Sequence, residues 1–521
     1  MYIISTHKAL CKKIFFMQSF GKVFISNKVL NRMAKAPSKA KISFTGMDIA
    51  GAGFMKQLND SIPVKARFNT SLYLDVITGR PQSGLYGDTI NNGGIAPYTG
   101  TIGGHNQGKS TWNDTQGLIL NSRYDIPYLS HNNEAESQPE RIRDLATYFA
   151  PEIVNYPNPM RDHETIKMLD LSAYSASDMH EVIRQLAFER ERRRDELMRD
   201  TPFVDENGEV IRILHPFAHA QDSLSQWQSS TIDKKMGEEE VGDKSKQTFG
   251  LMHGMSKTQM IAEFPSFCAR AGMMFFQTAH LGPKYQLNPY APMRKKLEFM
   301  AMDLDMKFVA NNFNYLPNNL WWIMGNAPLL KKGSDNKYYQ EYPEPGSRLE
   351  KDSDLMLTSL VNLRGKNGPT GVPCELVMSQ AKGYIPYLTN FRLTRESETG
   401  NALGFGISGT DKAMYLDILP EIKFNRFNLR EVAEQEPRLV RAMMFNAELC
   451  ILSERVKNYP RERLCSPAEL YETIKKKWDW KEILDTRDHW TWDHYENKTP
   501  YLSIYDLLNM RIDTYNPYWK Q

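Results

Sequence analysis

A chain of 521 residues is longer than one hydrophobic core usually sustains, so two or three domains are expected. Hydrophobic residues at 41% and charged residues at 24% exclude global disorder, and the near-neutral formal charge of +3 leaves a nucleic-acid partner to a local basic groove. No apolar run reaches the roughly 18 residues that span a bilayer, so the expectation is a cytoplasmic protein with no membrane partner. The five cysteines, Cys11, Cys268, Cys374, Cys450 and Cys465, form no CxxC pair; their spacing suits inert thiols in a reducing compartment.

In chain order, residues 1–42 carry nine Lys and Arg (Lys8 to Lys41) and no Asp or Glu, which reads as a basic, non-folded extension. A DNA-touching arm, a start upstream of Met17 or Met33, and a targeting peptide all fit that composition. Residues 43–95 lead into an α/β core over 96–397. The Gly-, Asn- and Pro-rich stretch Gly84 to Gly104 marks turns. A short strand over Tyr98–Ile102 and a helix over Lys109–Tyr124 follow, then a strand over Ile126–Ser130. Ser175 to Arg199 reads as a charged helix with Ser177 as its N-cap and a solvated face. Ile211–Gln221 reads as a strand ending at Asp222, and Thr231–Gln247 as a mobile loop. A helix over Met255–Ala271, a buried strand over Met273–Thr278 and strands over Leu355–Leu363 and Pro373–Gln380 complete the core. Helices alternating with short strands predict a mostly parallel, twisted sheet. After a Gly-rich break at Glu398–Gly409, residues 410–521 read as a small, mainly helical domain around Trp478, Trp480, Trp490 and Trp492.

One motif carries chemistry. Gly103-Gly104-His105-Asn106-Gln107-Gly108-Lys109-Ser110 fits G-x-x-x-x-G-K-[ST], with Thr111 next in line. Glycines let backbone N–H groups close around phosphate oxygens, and the helix that follows presents its positive end to the same charge. Lys109 is placed to reach the β- and γ-phosphates of ATP, and the Ser110 hydroxyl to hold Mg²⁺. Such a site needs a second metal carboxylate and a group that orients the attacking water. Asp222, at a strand end, suits the first role, although the preceding His215-Pro216-Phe217-Ala218-His219-Ala220-Gln221 is polar for a core strand. Glu134 and Glu136, after another strand, suit the second, or open the helix at Pro139 as solvated acids.

In this order the elements resemble the RecA-like P-loop ATPases, and among them the phage strand-exchange recombinases of the UvsX type. The resemblance runs from about Ala96 to Thr394 through short motifs. Glu134, Pro139 and Arg143 stand at the family's intervals, which selects Glu134 as the catalytic glutamate. Asp222-Ser223-Leu224 matches the Walker-B run, and His280, beside Gln277 and Thr278, matches the polar sensor. Arg364 and Lys366, in Asn362-Leu363-Arg364-Gly365-Lys366-Asn367-Gly368-Pro369-Thr370-Gly371, match a basic pair that acts on the neighbouring subunit's ATP. Gly383-Tyr384-Ile385-Pro386-Tyr387 resembles a motif near the end of the core. The resemblance also implies two DNA-facing loops, one through Trp227 and Lys234 toward Lys257, the other with Lys284, Tyr285, Arg294, Lys295 and Lys296. It implies a DNA-dependent ATPase that self-associates on single-stranded DNA as a filament or hexamer and promotes pairing or strand exchange. A hexameric helicase of the DnaB type shares the 366–371 hairpin, and a nucleotide-binding scaffold without turnover is the third reading.

Overall fold

The computed structural model describes residues 66–132, 139–170, 176–227, 246–284, 288, 290, 292–293, 295–325, 328–332, 339–346 and 354–521. Its centre is one twisted sheet. In chain order the strands are β1 (Tyr98–Gly103), β2 (Tyr128–Asn132), β3 (Ile166–Asp170), β4 (Phe217–Asp222), β5 (Met273–Pro283), β6 (Leu304–Met306), β7 (Asn319–Met324), β8 (Leu355–Gly365), β9 (Pro373–Ser379) and β10 (Gly383–Tyr384). Across the sheet they run β10-β9-β8-β7-β1-β5-β4-β2-β3, with β6 paired antiparallel to the far end of β5. The six strands from β7 to β3 are parallel, and β8, β9 and β10 extend the sheet antiparallel. The mostly parallel sheet expected from the alternation of elements is therefore present.

Burial on both faces follows from side-chain alternation along the strands. In β5, Met274 and Phe276 join the larger core with Trp112 and Leu118 of α1 (Lys109–Tyr124). Met273 and Phe275 point the other way, into a second core with Met179 and Ile183 of α2 (Ala176–Arg192) and Ile261 and Phe264 of α3 (Lys246–Ala271). The helix expected over 175–199 ends earlier: Met198–Val204 pairs with Val210–Leu214 as a separate hairpin. The core strand then begins at Phe217, not at Ile211. Ser177 lies inside α2, whose first residue is Ala176. The expected loop at 231–247 falls mostly outside the described residues.

The tail begins with a three-stranded antiparallel sheet over Ile407–Thr410, Ala413–Leu416 and Leu419–Phe424. Helices follow, the longest being Pro437–Glu454. They pack onto the sheet domain: buried Trp490 stacks on Phe68 at 5.2 Å and lies 4.9 Å from the Tyr124 ring at the end of α1. The Trp492 indole donates to the Tyr124 carbonyl at 2.6 Å. Among the described residues no helix is long and apolar enough to cross a membrane.

Candidate nucleotide site

The parallel strands end at one edge of the sheet, and there the chemistry-bearing residues gather. β1 runs into the loop 103–108 and α1 starts at Lys109. Gly108 caps the helix with φ 82°, in the left-handed region where a side chain is strained, and a Cβ there would sit 3.3 Å from Met378 Sδ and 3.4 Å from Tyr384 Oη. Glycine is thus favoured by the backbone, and its neighbours leave a methyl little room. The Tyr384 ring in turn meets Trp112 edge-on at 5.4 Å, so the 383–387 motif packs beneath the phosphate loop.

The loop is held by its own side chains. The Gly104 N–H donates to Gln107 Oε1 at 2.7 Å, while Gln107 Nε2 donates to the Gly325 carbonyl just beyond β7. The buried Lys109 ammonium donates to the Gly104 carbonyl at 2.5 Å. This folds the lysine back across the loop, at the place where an incoming anion would draw it.

From the other side, β4 delivers Asp222. The Ser110 hydroxyl donates to Asp222 Oδ2 and the Thr278 hydroxyl, from β5, to Asp222 Oδ1. Three segments far apart in sequence therefore converge on one carboxylate. One turn along α1, the buried Asp114 carboxylate accepts from Tyr128 Oη and, at 3.4 Å, from Ser130 Oγ. Burial, with Asp222 adding to the effect, pushes Asp114 up to about 7.

The polar character of β4 has a physical account. His219 and His131 of β2 place ring nitrogens 3.0 Å apart, and His219 stacks on Phe275 at 5.4 Å. Burial holds His131 down at about 3 and His219 well below its ordinary value, so both rings are neutral. Gln277 Nε2 donates to Gln221 Oε1, and Tyr98 Oη to Gln277 Oε1, each at 2.8 Å. These side chains meet one another laterally through the sheet, which pairs part of their buried hydrogen-bonding capacity, while His131 Nδ1, His219 Nε2 and Gln221 Nε2 stay without a partner among the described residues.

His280 ends up beside the loop: its ring stacks on that of His105, with centroids 4.5 Å apart. No local pattern of residues signals this partnership. Glu134 lies outside the described residues, but the β2–β4 register sets Asn132 opposite Asp222, so the chain leaves β2 level with that carboxylate. Arg364 is not at this edge. It pairs with Leu320, which pairs with Gly100 near the start of β1, and its Nε donates to the Pro317 carbonyl at 3.2 Å. Lys366 lies just beyond and lines a cleft of about 1290 Å³ at the amino ends of β1 and β5. Neither side chain shares the site of its own Lys109.

The DNA-facing candidates divide. Lys284 follows β5, its N–H on the Asp303 carbonyl at 2.7 Å. Lys295 is exposed and Lys296 pairs with Asp305 at 2.7 Å. Tyr285, Arg294 and Lys234 lie outside the described residues. Trp227 and Lys257 do not face solvent: both are 3% exposed, the indole stacking on Phe264 in the second core. The expectation that they face DNA is corrected by that burial.

No family model matches the chain, and no curated protein is similar to it. Among solved structures, one that is similar is the crystal structure of the RadB recombinase, at 14% identity and a TM-score of 0.29, covering 56% of this chain and 92% of that one. So distant a likeness carries no weight here. The chemistry rests on the geometry above.

The donors fit a magnesium nucleotide. Hard oxygens suit Mg²⁺, which keeps several waters and takes few protein ligands, and Ser110 and Asp222 supply a hydroxyl and a carboxylate already in contact. Among the described residues no cluster of three or more His, Cys, Asp or Glu forms an all-protein metal cage. An ion here would therefore share its coordination with phosphate and water.

Proposed function

We propose that this chain is a RecA-like ATPase that binds ATP with Mg²⁺ at residues 103–111, self-associates on single-stranded DNA, and promotes pairing or strand exchange. The observation that carries the reading is the contact between Ser110 and Asp222, 112 residues apart, at the mouth of a glycine loop on the carboxyl edge of a parallel sheet. Loop N–H groups and the amino end of α1 would hold the phosphates. Lys109 would exchange the Gly104 carbonyl for phosphate oxygens, and the ion, when bound, neutralises charge on those oxygens. Glu134 is assigned the attacking water, and the stacked His105 and His280 rings would lie beside the bound phosphates.

Arg364 and Lys366 lie toward the opposite edge, so in this reading they act on a neighbour's nucleotide and ATP sits at a subunit seam. Turnover with and without single-stranded DNA tests it. Stimulation by DNA, near-complete loss in Glu134→Gln, and recovery when Arg364→Ala protein is mixed with Lys109→Ala protein are expected. Equal rates in every condition would refute the assignment. Unwinding of a forked duplex by closed rings, without strand exchange, would select a helicase instead.

A further inference from the structure

Arg67 is a buried charge that the nucleotide site does not use. It stands in the lead-in to the core, and the residue is only 2% exposed. Burial, with the nearby Arg80 charge, draws the guanidinium down to about 10, so at neutral pH it stays a cation. Taking such a group out of water is costly unless its donors find acceptors. They find them on three separate segments. Nη1 donates to the Thr78 carbonyl at 2.9 Å, at the end of the short helix Leu74–Thr78, and to Asn319 Oδ1 at 3.4 Å, on the first residue of β7. Nε donates to the Asn367 side chain at 2.9 Å, in the amide orientation that also lets Asn367 donate to the Lys366 carbonyl at 3.2 Å.

These acceptors surround the hairpin that carries the basic pair. Asn319 pairs with Gly365, the residue between Arg364 and Lys366, so the guanidinium sits where β8 gives way to the turn. The turn packs against the same helix end: a Cβ on Gly368 would collide with the Ile77 carbonyl oxygen, and glycine alone lets the two backbones come so close. The Gly371 N–H closes the hairpin on the Asn362 carbonyl at 2.8 Å. Lys366 is exposed. A long, exposed lysine gives up much rotamer freedom to meet a phosphate, so it works well only from a fixed base. A planar guanidinium that bridges a helix end, a strand start and the turn supplies that base. An ammonium on a flexible stem would not reach all three in one geometry.

We propose that Arg67 is a positioning residue for the basic pair: acting through Asn367, it fixes the 365–371 turn and so the direction in which Arg364 and Lys366 reach a neighbouring copy's nucleotide. This rests on the seam reading above and deepens it. Arg67 touches no nucleotide itself. Its work is done in the next subunit's site, which makes the lead-in to the core a part of that site's machinery.

The test is turnover of the full chain on single-stranded DNA, read as phosphate release across an ATP titration. Asn367→Ala removes the link to the turn and leaves the Thr78 and Asn319 contacts of Arg67 in place. It is expected to lower kcat about tenfold and to leave the KM for ATP within about twofold of wild type. Mixing it with Lys109→Ala protein should restore turnover, because the sound hairpin of one then serves the sound phosphate loop of the other. Mixing it with Arg364→Ala protein should restore nothing, since neither brings a working hairpin. Arg67→Met should follow the same pattern and Arg67→Lys should fall between it and wild type. Arg67→Met also takes this donor from the Thr78 carbonyl and can unfold the chain, so Asn367→Ala decides. Wild-type kcat in Asn367→Ala, beside an Arg364→Ala protein that is impaired and repaired by mixing, would overturn the proposal and leave the seam standing. So would a loss in Asn367→Ala that Lys109→Ala protein does not repair, since the link would then serve only its own subunit's fold. Full turnover by Arg364→Ala alone, or no recovery when it is mixed with Lys109→Ala protein, would instead sink the seam reading, and this one with it.

Discussion

Replacing Asp222 by asparagine separates a fold residue from a metal residue. Each carboxylate oxygen of Asp222 accepts one hydroxyl hydrogen bond, from Ser110 and from Thr278. Asparagine keeps the shape and one acceptor. The other oxygen becomes an NH₂ group, and the hydroxyl facing it turns to accept, so that bond is reversed instead of lost. Exchanging a charged acceptor for a neutral one then costs about 1 kcal/mol. Part of this is offset, because the Asp222 charge is one of the causes that push Asp114 upward. For a chain of this size the melting temperature should move by no more than about 2–4 °C. The ion, by contrast, loses a formal charge worth about 1.5–3 kcal/mol, or roughly ten- to a hundredfold in Mg²⁺ affinity. A fluorescent ATP analogue titrated with Mg²⁺, beside melts without nucleotide, reads both quantities. Identical Mg²⁺ curves for wild type and variant would refute the placement of the ion. A large drop in melting temperature without ligand would make Asp222 a fold residue.

Gly108→Ala should destabilise the protein by about 1–2 kcal/mol, from the left-handed backbone alone, and weaken nucleotide binding as the new methyl presses on Met378 and Tyr384. Denaturant melts unchanged by the substitution would contradict the backbone assignment. The pH dependence has a defined sign. Burial raises Asp114 to about 7, and Glu448 and Asp506 to about 8. Above the unfolded carboxylate range these groups cost the folded state stability, and the cost shrinks as pH falls below their folded values, vanishing at the unfolded carboxylate value. Histidines held neutral, such as His131 and His215, lose stability only below their unfolded value of about 6.5. Melting temperature should therefore rise as pH falls from about 8 to about 6.5. Asp114→Asn should remove about 1 kcal/mol of that rise; an unchanged slope in the variant would count against the raised carboxyl.

Much of the site was legible because its signals are local. The helix Lys109–Tyr124 follows from a glycine that accepts the left-handed cap and a run of helix formers, and its limits match the sequence reading. Asp222 at a strand end was legible too, although the strand's polarity argued against it. That polarity is partly met by His131, Gln277 and Tyr98, partners on other strands, and pairings of this kind leave no mark in a linear pattern. The central strand Asn319–Met324 was missed: Leu320 to Met324 is a short apolar run that periodicity cannot separate from a buried helix segment. The edge strand Ile166–Asp170, with Lys167 and Asp170 among its apolar residues, offered still less. Charge continuing past Arg192 carried the helical reading into Met198–Val204, where cross-strand pairing overrides local preference.

Helix α1 is gripped at both ends. Its first turn belongs to the phosphate loop, and its last residue is pinned by two tryptophans of the tail. A rod fastened in this way resists sliding or rotating when an anion arrives at its head. Any closure over a ligand is therefore left to the loops and strands around it, and residues some 370 positions downstream of Tyr124 set the firmness of the floor on which phosphates would rest.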